Sequence, residues 1–275
     1  MEASIQSDSP VRVHAQARAE YLEFACRLAR SAGEVILPQF RRRLAVDNKK
    51  AGTGYDPVTE ADRAAERAMR EEIRKRYPAH GILGEEFGFE SGDGLTWVLD
   101  PIDGTRGFVM GLLHWGTLVA LFDGQRPVVG AIRQPVLDET FAGDGTRAVY
   151  TRGREQRALA TRPCPTLGEA LAGSTAPELF RTERQVAGFG RIRQRARGMR
   201  YGTDCYLYAM LAMGLADLVI EANLKPYDVQ ALIPVVEGAG GVITDWNGGN
   251  PAMGGEVLAT GDARLHERVL AELRD

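Results

Sequence analysis

Between residues 20 and 40, apolar side chains recur at helical spacing: Tyr21, Phe24, Ala25, Leu28, Ala29, Val35 and Ile36. That stripe predicts an amphipathic helix ending near Pro38. Arg41, Arg42 and Arg43 follow and read as a solvated helix end, where positive charge meets the negative dipole. A second stripe, Ala61, Ala65, Ala68, Met69 and Ile73, runs towards Pro78. Its start has a cap signature, with Thr59 as N-cap and Asp62 in the place of the capping-box acid. The period then shortens. Residues 81–84 form a short apolar run into Glu85-Glu86, residues 88–94 are turn-like, and Trp97-Val98-Leu99 reads as the end of a buried strand. Residues 116–122, 127–134, 139–142 and 148–151 predict an antiparallel meander, with turns at Asp123-Gly124 and Asp144-Gly145.

The stretch 152–165 is polar and contains proline, which makes it a boundary candidate. Beyond it strands are expected at 170–174, 217–221, 241–244 and 257–259, and helices at 177–187, 203–213, 227–238 and 262–273. Alternation of that kind implies an α/β lobe. The expected organisation is an N-terminal α+β lobe over 1–151 and a C-terminal α/β lobe over 152–275 that completes the active site. No internal repeat or low-complexity segment is visible.

Composition narrows the function. Of 275 residues, 44% are hydrophobic and 26% charged, ordinary for a globular protein with a sizeable core. A formal net charge of -3 argues against general attraction to nucleic acid or acidic membranes. Cys26, Cys164 and Cys205 are scattered and form no CxxC pair, as expected for reduced thiols in a cytoplasmic protein. No signal peptide is visible, and no apolar run approaches the roughly 18 residues of a membrane span. One basic feature stands apart: Arg181, Arg184, Arg191, Arg193, Arg195, Arg197 and Arg200. The alternating members from 191 to 197 would share one strand face and could meet phosphates. Without interleaved aromatics, a solvated face or a lip for an anionic substrate explains them better than an RNA-binding or regulatory role.

The chemistry concentrates in Asp100-Pro101-Ile102-Asp103-Gly104-Thr105, directly after the apolar run. Buried carboxylates this close repel unless a cation lies between them. Hard divalent ions prefer oxygen ligands. Gly104 and Thr105 look like a helix start, whose free N–H groups suit a phosphate. A polar turn at a strand end is the plainer alternative for a lone D-x-x-D.

The hexapeptide resembles the signature of the inositol monophosphatase family of Mg²⁺-dependent phosphatases. Asp56-Pro57-Val58-Thr59-Glu60-Ala61-Asp62, Glu85-Glu86 and Lys225-Pro226-Tyr227-Asp228 are similar to its other motifs, in the same order. The resemblance implies a layered αβαβα sugar-phosphatase fold and a homodimer. It implies one Mg²⁺ on Glu85, Asp100 and the Ile102 carbonyl, and a second on Asp100, Asp103 and Asp228. Glu86 would support these or contribute to a third, weaker metal. Asp56 and Thr105 would form a pair that orients and helps deprotonate the attacking water, with Glu85 beside them. The implied reaction is phosphomonoester hydrolysis without a covalent phospho-enzyme. Neither a C-x5-R loop nor a histidine pair offers another route, and His114 reads as a packing or rim residue. The loop 49–55, with its glycines, is a candidate lid.

Substrate preference rests on departures from the usual inositol phosphatases. Arg106-Gly107-Phe108 follows Thr105, and Tyr201-Gly202-Thr203-Asp204-Cys205-Tyr206 lies further on. These resemble the histidinol-phosphatase branch of the family, which acts in histidine biosynthesis. Gly104, Thr105, Arg106, Asp204 and Glu221 are the expected substrate contacts. Acids at 204 and 221 suit an ammonium and an imidazole through charge-assisted hydrogen bonds. Glu221 also has a counterpart in inositol-binding members, so Asp204 discriminates better. Inositol 1-phosphate or another sugar or nucleotide phosphate is the alternative substrate.

Overall fold

The computed structural model describes residues 5–7, 9–43, 46–48 and 57–274. The expected lid at 49–55 and Asp56 lie outside these residues. Helix α1 (Ala15–Ile36) and helix α2 (Glu60–Arg76) bury the stripes that predict them. In α2 the Thr59–Asp62 capping box is formed, with Thr59 N donating to Asp62 Oδ2 at 2.8 Å. Before α2, β1 (Val46–Asn48) and β2 (Pro57–Thr59) form a small antiparallel ribbon.

The large sheet contains β3 (Gly81–Gly84), β4 (Gly88–Glu90), β5 (Thr96–Asp103), β6 (Gly116–Phe122), β7 (Pro127–Gln134), β8 (Glu139–Gly143), β9 (Ala148–Arg152) and β10 (Glu155–Ala158). Its order is β10-β9-β8-β7-β6-β5-β3-β4, and only β3 and β5 run parallel. Short helix α3 (Thr105–Val109) leaves β5. Two strands of this sheet lie outside the sequence expectation, as do β1, β2 and the later strand Gly198–Tyr201. β4 occupies the turn-like stretch, and β10 lies within the polar stretch 152–165. All four β10 residues are exposed, so no apolar alternation marks it.

A second sheet contains β11 (Leu171–Ser174), β12 (Gly198–Tyr201), β13 (Leu218–Leu224), β14 (Val242–Thr244) and β15 (Gly255–Thr260), ordered β12-β11-β13-β15-β14. Helices α5 (Asp204–Ala212), α6 (Pro226–Val229) and α7 (Leu232–Gly238) supply the layer between the sheets. The expected helix over 227–238 is thus two pieces. Helices α4 (Glu183–Arg195) and α8 (Ala263–Arg274) cover the outer face of the second sheet. Three apolar clusters fill the interfaces: α1 and α2 on the large sheet, the middle helices between the sheets, and α4 and α8 on the second sheet. The result is the expected αβαβα stack. Among the described residues no helix is long and apolar enough to cross a membrane.

The arginine run does not form a strand face. Residues 183–195 are helical because Gln185, Gly188, Phe189 and Ile192 fall on one buried side, the period of a helix. The expected helix over 177–187 is instead a 3-10 turn, Pro177–Leu179, followed by α4. Arg191 donates to the Glu272 carbonyl, Arg195 pairs with the Glu272 carboxylate, and Arg184 pairs with Glu256. These guanidinium groups are spread over protein acceptors rather than presented as a phosphate-tracking stripe.

Candidate active site

Parallel pairing of β3 with β5 aligns Gly84 with Leu99, and Glu85 N donates to the Leu99 carbonyl at 3.2 Å. The next residue on each strand is therefore an acid, Glu85 and Asp100, at one sheet edge. Asp103 joins them through an irregularity. Asp100 pairs with Leu118 and Asp103 with Gly116, so three steps along β5 match two along β6. A regular strand would turn residues three apart to opposite faces; a bulge re-aims one of them. Pro101 sits within this bulge, and the Pro101 carbonyl accepts from Thr117 Oγ1 at 2.8 Å.

Asp228 arrives from α6, where it closes a cap by accepting from Lys225 N at 2.7 Å. The capping role and membership of the cluster hold together. One carboxylate oxygen from each of Asp100, Asp103 and Asp228 lies within 4.8 Å of the other two. Burial, then Glu85, Asp103 and Asp228, push Asp100 well above the usual carboxylate range. Burial, then Asp204 and Asp228, do the same to Asp103, while Cys205 opposes the rise. Asp100 is 1% exposed, and its Oδ1 has no hydrogen-bond partner. A buried unpartnered carboxylate oxygen among like charges is costly. A divalent cation removes both costs, and an all-oxygen donor set suits a hard one. The residues present therefore fit the metal that the sequence implies.

The remaining expected residues surround this cluster. The Ile102 carbonyl accepts from Thr105 Oγ1 at 3.0 Å, leaving the second lone pair of that carbonyl. Gly104 has φ +84 and caps α3, and Arg106 is exposed on the first turn. Asp204 opens α5 at φ +43, a left-handed conformation uncommon for a side-chain-bearing residue. A Cβ on Gly104 would lie 3.1 Å from Asp204 Cγ, so the two turns touch. Burial pushes Asp204 up to about 6, and Arg106 pulls it down. Glu221, on β13, is 2% exposed; burial pushes it up to about 8, with Asp204 adding to the rise. Thr175 N donates to Glu221 at 2.8 Å and Thr175 Oγ1 at 3.0 Å. His114 is exposed, not packed in the core.

Three supporting groups escape the sequence reading. Cys205 N donates to Asp103 Oδ2 at 2.7 Å. Ser174 and Thr175 hold Glu221 from β11. Glu66 accepts the backbone N–H of Glu86 at 2.7 Å. The last had a signal: Glu66 and Arg70 lie on the same face of α2 as Asp62, Met69 and Ile73, a charged pair on a buried stripe.

Residues 17–275 match the model of the Inositol monophosphatase family. The chain is 40% identical over 283 residues to "Bifunctional phosphatase IMPL2, chloroplastic" of Arabidopsis thaliana, spanning 98% of this chain and 80% of that protein. It is 32% identical to a histidinol-phosphatase of Chlorobaculum parvum, spanning 92% and 96%. A solved inositol monophosphatase from Zymomonas mobilis superposes with a TM-score of 0.83 at 41% identity, covering 94% of this chain and 99% of that one. Acid cluster, layered fold and matched length agree, and the chain belongs to the inositol monophosphatase family of phosphomonoester phosphatases.

Proposed function

We propose that this chain is a Mg²⁺-dependent histidinol-phosphate phosphatase. The supporting observation is the pair Asp204 and Glu221: Arg106 offsets Asp204 only in part, burial still raises both carboxyl groups, and Glu221 is held by Thr175 and Ser174 without a counter-charge among the described residues. A substrate bearing an ammonium group and an imidazole supplies that counter-charge. A ring bearing only hydroxyls does not. The histidinol-phosphatase name of one relative points the same way.

In this reading Glu85, Asp100 and the Ile102 carbonyl hold one Mg²⁺, and Asp100, Asp103 and Asp228 hold a second. Glu86 stands beside them for a third. The ions supply charge that polarises the phosphoryl group and acidifies a water. The chain's own part is orientation. Thr105 Oγ1 already donates to Ile102, so towards a water it is an acceptor. A hydroxyl in that role aligns the water but does not take its proton. The acceptor is then a carboxylate, Glu85 or Asp56. Gly104, Thr105 and Arg106, at the turn into α3, receive the phosphate, while Asp204 and Glu221 hold the amine end. A homodimeric cytoplasmic enzyme of histidine biosynthesis is part of the same proposal.

The test is phosphate release from histidinol phosphate and from inositol 1-phosphate, with and without Mg²⁺. Asp204→Asn should raise KM for histidinol phosphate far more than for a neutral sugar phosphate. Preference of the unaltered protein for inositol 1-phosphate would transfer the assignment to that substrate.

A further inference from the structure

Glu66 is fully buried in the middle of α2. Its Oε2 accepts from Glu86 N at 2.7 Å and its Oε1 from Phe87 N at 3.2 Å. Arg70 Nε donates to Oε1 at 2.8 Å, and Arg70 Nη2 reaches on to the Gly88 carbonyl. The turn that joins β3 to β4 is thus wound around one buried ion pair. The fit leaves no slack: a Cβ on Gly84 would lie 1.9 Å from Glu66 Oε1. Glu85 sits between these two fixed points, Gly84 against the carboxylate on one side and the Glu86 N–H bonded to it on the other.

We propose that Glu66 is a positioning residue for Glu85. This rests on the reading that Glu85 and Asp100 hold a divalent cation. A carboxylate taken out of water is costly unless paired and hydrogen-bonded. Glu66 finds its partners in Arg70 and in the backbone of this turn. Both backbone N–H groups it binds, those of Glu86 and Phe87, belong to the segment that carries Glu85. Such outer partners fix the orientation of ligating carboxylates, and their removal weakens metal binding. The arrangement makes α2 the fixed reference for the β3 edge of the acid cluster. Arg70 completes it by neutralising Glu66 and tying off the far end of the turn.

The experiment is calorimetric titration of Mg²⁺ into the metal-stripped full-length protein. Four forms are compared: unaltered protein, Glu85→Gln, Glu66→Gln, and the double variant Glu66→Gln with Arg70→Gln. The double variant removes the guanidinium that the single change leaves without its buried partner, paired only with Glu90 among the described residues. Glu85→Gln should lose the most affinity. Both Glu66 variants should bind Mg²⁺ more weakly by on the order of tenfold or more. At saturating Mg²⁺ they should recover kcat, with KM for the phosphate ester unchanged. A merely structural defect would lower kcat and thermal stability without that split. Unaltered Mg²⁺ affinity in folded Glu66 variants, with Glu85→Gln impaired, would overturn the positioning role alone. Unaltered affinity in Glu85→Gln would remove the metal reading beneath it. Failure of both Glu66 variants to fold would assign the ion pair to folding and also overturn the proposal.

Discussion

Cys205 and Asp103, 102 positions apart in the chain, are joined by a backbone N–H to carboxylate hydrogen bond of 2.7 Å. The bond ties the first turn of α5, in the middle layer, to the end of β5 in the large sheet. It also leaves Asp103 oriented towards Asp100 and Asp228. Asp103→Asn keeps the shape but removes a charge. It should reduce Mg²⁺-dependent phosphate release by at least about a hundredfold, beyond what loss of an outer partner costs, with a native circular dichroism spectrum. Mg²⁺ at a hundred times its Kd should stabilise the unaltered protein by about 2.7 kcal/mol and the variant by much less. Differential scanning calorimetry with and without Mg²⁺ reads the second effect; retained activity would defeat the role given to Asp103.

Gly104 meets two constraints at once. Its φ is +84, and a Cβ there would lie 2.8 Å from the His114 carbonyl and 3.1 Å from Asp204 Cγ. Gly104→Ala should cost about 1–2 kcal/mol from backbone strain alone, visible in urea unfolding. Because the new methyl presses on Asp204, KM for histidinol phosphate should rise more than KM for a neutral phosphate ester. An equal rise for both would separate the strain from the amine end of the site.

Asp217 is 1% exposed and accepts from Arg162 through two bonds of 2.7 Å, with Leu171 N adding a third at 2.8 Å. This pair ties the segment before β11 to the start of β13, away from the acid cluster. Arg162→Ala would leave the buried carboxylate without its counter-charge. Because the Arg162 side chain is itself 41% exposed and water can reach its place, the expected loss is about 1–3 kcal/mol of unfolding free energy, with kcat per folded molecule unchanged. A loss under about 0.5 kcal/mol would mean that water replaces the guanidinium without cost.

His266 lies between Thr244 Oγ1, at 2.9 Å from Nε2, and Thr260 Oγ1, at 3.1 Å from Nδ1. Burial pushes it down to about 4, from 6.5. Above pH 6.5 the ring is neutral in both states and contributes no slope. As the pH falls below 6.5 the unfolded ring binds a proton and the folded ring does not, so stability drops until about pH 4 and then levels. His266→Gln should flatten that part of the curve. The check is the difference in unfolding free energy between the two proteins across pH 4 to 7; a constant difference would contradict the assigned burial effect.

Much of this protein is local information. The stripes of α1 and α2, the Thr59–Asp62 cap and the meander from β6 to β9 follow from periodicity and turn chemistry, which depend on neighbours a few residues apart. The acids at 85, 100, 103 and 228 stand in short contiguous motifs and are picked out by their resemblance to the family's motifs; the structure gathers Asp100, Asp103 and Asp228. What escaped was set by distant partners. Strand β10 has no buried face and exists because β9 offers it a ladder. The arginines from 191 to 195 alternate in sequence, yet the apolar side of α4 overrides that alternation. Meeting of the acids depends on parallel pairing of β3 with β5 and on the bulge that turns Asp103 towards Asp100. Glu66, Cys205 and Thr175 act through backbone hydrogen bonds across 20 to 102 positions. A residue's type and near neighbours carry no record of such partners. Types and order of the reactive groups belong to the sequence; their convergence belongs to strand pairing and layer packing, because burial in a folded core brings like charges together that an open chain would keep apart in water.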